Sequence, residues 1–258
     1  MSQPVMPGAW HLRGWQAADA DLLSAWCNQA GVAPDLSGDA AQWLILADAA
    51  SGAPLACLRL VEHLGHELPR FSYHVGRVVH AAAELALFRT QTTLLLGNDH
   101  CGESELADLA CAPGLPAQVQ TAYLTQLIQA ALVRIQAQPA RFGECLMVEL
   151  AGPRDDRGQA PFWQGLGAHF YAGSPLAAQT KFGDAWRSHL AALLPRQTLY
   201  LSFLSAAAQA ALGQVGAAAQ SAAQALAACG FVYSRHVRVD DGGPIWELRL
   251  APQADISC

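Results

Sequence analysis

The stretch SELADLACAPGLPAQVQTAYLTQLIQAALVRIQAQ, residues 104–138, decides the fold. Its first part, Ser104 to Cys111, is a short, mostly apolar run that reads as a strand. Pro113-Gly114-Leu115-Pro116 then breaks the chain. From Ala117 to Gln138, residues Leu124, Leu127, Ile128, Ala131 and Ile135 recur at helical spacing, which predicts one long helix with a single apolar face. Glu144 to Leu150 follows as another short strand. The centre of the architecture is therefore strand, sharp break, long helix, strand.

Outward from this centre, Trp10 to Trp15 alternates as a strand, and Ala17 to Asn28 reads as a helix stopped at Gly31. Gln42 to Asp48 and Leu55 to Val61 form a hairpin about the turn at Ala50 to Pro54. Thr92 to Leu96 is a further strand. On the C-terminal side, Gly152 to Gly158 is a polar loop, Phe162 to Phe170 a short helix and Leu199 to Leu204 a strand. Ser205 to Cys229 is an alanine-rich helical stretch interrupted by Gly213 and Gly216. Phe231 to Val239 and Ile245 to Leu250 are terminal strands. This order is an α+β pattern around a mostly antiparallel sheet. Residues 1–195 form the principal domain, and residues 196–258 a strand-helix-strand portion that packs on, or completes, the same sheet.

Composition excludes several function classes. The 258 residues are 52% hydrophobic and 14% charged, with a net charge of −6 and a single lysine, Lys181. Disorder requires the opposite balance. A nucleic-acid partner calls for a basic footprint that is missing here. Every apolar run is too short for a membrane span. Met1 to Trp15 shows no signal-peptide pattern, and seven cysteines without a Cys-x-x-Cys pair fit reduced thiols, so a cytoplasmic location is expected. His63 and His66 follow a strand and read as a solvated turn rather than as metal ligands, and no metal is expected.

The element order resembles the GNAT-type acyltransferases, in which the strands before and after the long helix splay apart. Three stretches are more specific: Phe71 to Leu85, Leu96-Gly97-Asn98-Asp99-His100-Cys101-Gly102-Glu103-Ser104-Glu105-Leu106, and Pro161-Phe162-Trp163-Gln164-Gly165-Leu166-Gly167-Ala168-His169-Phe170. With Cys229-Gly230-Phe231 and Asp241-Gly242-Gly243-Pro244, they resemble the arginine N-succinyltransferase family, including its arginine/ornithine subunits, in a diverged and shortened form. The resemblance implies transfer of a succinyl group from succinyl-CoA, a co-substrate rather than a bound cofactor, to the α-amino group of L-arginine. It also implies a homo- or hetero-oligomer with a related subunit. The alternatives are an acyltransferase for ornithine or another amine, or a non-catalytic relative acting as a partner subunit.

Acyl transfer to an amine needs a base, a donor for the developing oxyanion and a seat for the acyl donor. Glu105 and His100 are the catalytic candidates, each with a structural alternative: a strand-end carboxylate and a turn histidine. Asn98 and Asp99 are candidates to position substrate or to form an Asx-type turn. Arg77 and His80 are candidates for a substrate carboxylate, although three residues apart on a strand they face opposite sides. The donor pyrophosphate is assigned to the helix start, at Gly114, Ala117 and Gln118. That segment departs from the family: Gly114 is the only glycine from Pro113 to Thr121, Pro116 has no N–H, and Ala117 to Val133 carries no charge. Phe162 and Trp163 read as core anchors, and Asp240 and Asp241 as turn formers.

Overall fold

The computed structural model describes residues 8–29 and 42–250. Its strands are β1 (Trp10–Arg13), β2 (Trp43–Asp48), β3 (Pro54–Val61), β4 (Ser72–Ala82), β5 (Leu87–Gly97), β6 (Ser104–Cys111), β7 (Cys145–Glu149), β8 (Leu199–Tyr200), β9 (Val232–Arg238) and β10 (Pro244–Arg249). Its α-helices are α1 (Ala20–Gln29), α2 (Ala117–Ala137), α3 (Pro161–Gly165), α4 (Pro175–Phe182), α5 (Trp186–Leu193), α6 (Ala206–Ala211) and α7 (Gln220–Ala228). All ten strands join one sheet in the order β1-β2-β3-β6-β7-β10-β9-β4-β5-β8. Every pairing is antiparallel except that of β6 with β7. The C-terminal hairpin β9–β10 is inserted at the middle of the sheet, between β7 and β4.

Strand alternation sorts the core. Leu46, Leu58, Leu60, Leu106, Leu146 and Val148 meet the buried face of α2, with Leu124, Leu127, Ile128, Ala131 and Ile135, and also α7. These α2 residues are the ones that periodicity selects. On the opposite face, Trp43, Ile45 and Cys57 pack against Leu23, Trp26 and Cys27 of α1. Tyr73, Leu94, Leu96 and Val237 make a second centre with Phe162, Leu166, Ala191 and Leu194. Phe162 and Trp163 are buried anchors.

Several elements differ from the sequence expectation. The strand expected at Leu199 to Leu204 stops after Tyr200, because β8 pairs only with Thr93 and Leu94; Leu201–Phe203 is a 3-10 turn. The helix expected at Phe162 to Phe170 is α3 followed by a 3-10 turn at Gly167–His169. The alanine-rich stretch is two helices, α6 and α7, separated around Gly213 and Gly216. A Cβ on Gly216 would lie 2.3 Å from the Gly152 carbonyl oxygen, so backbone runs against backbone there. Helices α4 and α5 have no counterpart in the sequence reading. The stop expected at Gly31 lies outside the described residues. The six described cysteines are free thiols, and no helix of the described residues is long and apolar enough to cross a membrane.

Candidate active site

Strands β6 and β7 touch only at their beginnings. Ser104 lies opposite Leu146 and Glu105 opposite Met147, after which the ladder ends. Side chains pin this junction: Ser104 Oγ donates to the Glu62 carbonyl at 2.6 Å and accepts from Gly143 N–H at 2.9 Å, while the Glu103 carboxylate accepts from Cys145 N–H at 2.7 Å. Beyond it the strands diverge around a cavity of about 430 Å³. Asp108 to Gly114 line one side and Val148 to Ala151 the other, with Ala117 and Gln120 of α2, the 3-10 turn Ala217–Ala219 and the first residues of α7 closing the end. A larger cavity of about 1290 Å³ borders Arg59, Glu105, Arg70, Arg187 and Asp240. Asp108 and Glu149 line both cavities, so the two meet at the splay.

One guanidinium spans the diverging strands. Arg70 Nη2 donates to Glu105 Oε1 of β6 at 2.8 Å, and its Nε donates to Glu149 Oε1 of β7 at 2.9 Å. Arg187 of α5 takes the other oxygen, Glu149 Oε2, at 2.7 Å. The alternation of strands explains the convergence. Glu149 lies two residues beyond Met147, the partner of Glu105, so the two carboxylates share a face. Burial opposes the charge of Glu149, but Arg187, Arg70 and Arg238 outweigh it and hold the carboxyl well below its ordinary value. Burial likewise opposes the charge of Arg70, and Glu105 and Glu149 outweigh it, raising its pKa. For Arg187, burial followed by repulsion from Arg70 prevails and lowers it. Next to this chain, Arg238 makes a two-point bond to Asp240 at 3.1 and 2.6 Å. Burial pushes the neighbouring Asp241 up to about 6 against the pull of Arg238.

The backbone of β6 is irregular at the splay. Cys57 pairs with Ala110 and Arg59 with Ala107, so Asp108 and Leu109 together oppose Leu58. This is a β-bulge, which takes backbone groups out of the ladder and re-aims them. Asp108 sits in it at φ 58°.

The sequence-predicted residues divide into three groups. Glu105, Gly114 and Ala117 line the cavities, while Gln118 lies exposed on the first turn of α2. His100, Asn98 and Asp99 lie in the turn before β6 and line neither cavity. The His100 ring stacks edge-on against His236 at 4.5 Å, and burial with help from His236 lowers its pKa to about 4. Asp99 Oδ2 pairs with His236 Nε2 at 3.1 Å, and Asn98 closes the turn by accepting from Cys101 N–H at 3.0 Å. Arg77 and His80 are placed elsewhere. They lie on the part of β4 that pairs with β5 alone, opposite Thr92 and Arg89, and the His80 ring meets Tyr200. The ladder carries that ribbon away from the splay, and neither residue lines either of the two cavities. The sequence reading missed Arg59, Arg70, Asp108, Glu149 and Arg187. The available signal was their charge, in a chain with little of it. Among the described residues no cluster of His, Cys, Asp and Glu is suited to a metal ion.

Known proteins are similar to this chain in sequence and fold. A family model described as arginine N-succinyltransferase beta subunit matches residues 24–253. An arginine N-succinyltransferase of Enterobacter sp. (strain 638) is 33% identical over 203 residues, covering 79% of this chain and 58% of that protein. The Citrobacter koseri arginine N-succinyltransferase is 32% identical over 206 residues, covering 80% and 59%. The chain therefore spans less than two thirds of these relatives. The structure of arginine/ornithine succinyltransferase subunit AI from Pseudomonas aeruginosa superposes with a TM-score of 0.74 at 25% identity, covering 94% of this chain and 77% of that one. With a match along most of its length and a shared fold, the chain belongs to the arginine N-succinyltransferase beta-subunit family.

Proposed function

We propose that this chain transfers the succinyl group of succinyl-CoA to the α-amino group of L-arginine, on a GNAT-like fold. The observation that carries the proposal is the splay of β6 and β7, with one cavity at its helix-capped side and, at the other, a cavity lined by five carboxylates and five arginines. The acyl donor enters from the α2 side and the amine from the side of Glu105. The amine nitrogen attacks the thioester carbon, the carbon–sulfur bond breaks, and the CoA thiolate leaves. Glu105, held through Oε1 by Arg70, takes the proton lost by the amine. Backbone N–H groups of the Asp108–Leu109 bulge face the thioester oxygen, where charge develops in the transition state.

The donor pyrophosphate rests on the first N–H groups of α2, those of Ala117 and Gln118, which lie ahead of the intrahelical ladder. The start of α7 lies beside it and adds a second positive dipole end. Among the described residues, no lysine or arginine lines this cavity. That observation favours the second reading, a non-catalytic subunit that keeps the fold. A reducing compartment, the cytoplasm, suits the unpaired thiols.

The test is thiol release from succinyl-CoA in the presence of L-arginine, with the product identified by mass spectrometry and L-ornithine as the competing acceptor. Release that depends on arginine supports the transfer. Folded protein that releases no thiol, and binds no CoA by calorimetry, selects the non-catalytic subunit instead.

A further inference from the structure

Among the described residues, three non-glycine positions have positive φ: Ala86, Asp108 and Arg235. Asp108 is the buried one. A side-chain-bearing residue in this region costs energy, less for Asp than for most, and its surroundings decide whether it stays there. Asp108 is held from two directions. Its carbonyl oxygen faces two buried thiols, Cys57 Sγ at 3.4 Å and Cys27 Sγ at 3.7 Å. Its carboxylate Oδ2 accepts from Arg59 Nε at 2.5 Å. Thiols are weak donors, so the charged contact is the stronger restraint. Arg59 is itself fixed: it lies on β3 opposite Ala107, and its guanidinium sits 5.9 Å from the centre of the Trp43 ring.

We infer that Arg59 is a positioning residue for the transfer reaction: it locks Asp108 in the left-handed bulge and thereby fixes how the backbone of residues 108–109 faces the gap between β6 and β7. Its effect on rate rests on the transfer reading above. Arg59 acts through Asp108 and needs no contact with the reacting atoms. Loss of Arg59 frees the bulge backbone at residue 108 to leave the left-handed region, which turns the backbone donors away.

The experiment is a double-mutant cycle of R59A and D108G, read by kinetics and by melting. Glycine adopts positive φ without a restraint. In the native background, R59A lowers kcat for CoA release about 10–100-fold, the range for a misaligned site, and leaves KM for succinyl-CoA within about twofold. In the D108G background, the same R59A change costs less than about threefold. Melting gives an arm independent of activity. D108G lowers Tm when Arg59 is present, because it removes the carboxylate that accepts from Arg59 Nε. In the R59A background, it raises Tm by roughly 2–4 °C, by removing the strain of the positive φ without costing the Arg59–Asp108 ion pair. Equal kinetic costs of R59A in both backgrounds, or the same sign of the D108G melting shift in both, overturn the inference. If the native chain releases no thiol, the transfer reading and the role of Arg59 in it fall together, while the melting arm still decides whether Arg59 locks the bulge.

Discussion

Replacing Arg70 by methionine removes the guanidinium that joins the two splayed strands and keeps most of the side-chain volume. The Glu105 and Glu149 side chains are 5% and 6% exposed, and Arg70 is 19% exposed. Glu105 loses the partner of Oε1, and Glu149 keeps Arg187 alone on its other oxygen. Removing one partner of a buried ion pair costs about 3–5 kcal/mol. The adjoining cavity gives water access to the carboxylates, so the low end, about 3 kcal/mol, applies. For a chain of this size that is a fall in Tm of roughly 6–12 °C at pH 7. The pH dependence follows from the lowered pKa of Glu149. In the native chain its contribution is present above the unfolded carboxylate value of about 4.3 and is lost as pH falls through the lower folded value. In the variant the folded value moves up toward the unfolded one. The Tm deficit is therefore largest near neutrality and narrows below about pH 4.5. Circular dichroism melts at a series of pH values read both features. A loss under about 1 kcal/mol at pH 7, or a deficit that widens on acidification, would refute the account of Arg70 as the charge that holds this junction.

Three other outcomes are expected. Gly243→Ala places a Cβ 2.1 Å from the Leu150 carbonyl oxygen and 2.5 Å from Gly152 N, both backbone atoms, so a loss above about 3 kcal/mol is expected in urea unfolding. Glu105→Gln is expected to lower kcat by about 100-fold or more, the scale of general base catalysis, with KM for succinyl-CoA little changed; full activity removes Glu105 from the mechanism. Asp241→Asn probes a carboxyl raised to about 6 in the folded chain. Burying its charge destabilises the native protein as pH rises from about 4 through 6, so the Tm of the variant gains on the native value across that interval and levels above it. A gain in the opposite direction removes the shift.

The centre of the fold is legible in the sequence because strong local signals agree there: the apolar run at Ser104 to Cys111, two prolines, and the helical spacing from Leu124 to Ile135. The ribbon of β4 and β5 is longer than alternation indicates. The first residues of β5, Leu87 to Thr90, are exposed in succession, Phe88 at 78%, and burial leaves no pattern there, whereas the outer residues of β4 alternate between exposed and half-buried. Helices α4 and α5 are eight residues each, too short for periodicity to separate from loop. At the site, Glu105 is legible because it begins a recognisable strand. Arg70 and Arg187 are not, since they reach Glu149 across 79 and 38 residues, and spacing carries no trace of such a pair. Asp108 is hidden for a different reason. A bulge depends on the register of the neighbouring strand, and one strand alone does not contain it. The shortage of charge has a structural counterpart: several of the few ionised groups are spent inside, on the chain from Glu105 through Arg70 and Glu149 to Arg187.

A crystal structure of the protein with CoA bound decides whether the splay between β6 and β7 seats the acyl donor. The expected result is density for the pantetheine arm in the gap between β6 and β7, the thiol beside Asp108 and Leu109, and the diphosphate at Ala117 and Gln118. CoA bound elsewhere, or a gap closed by side chains at saturating CoA, would contradict it.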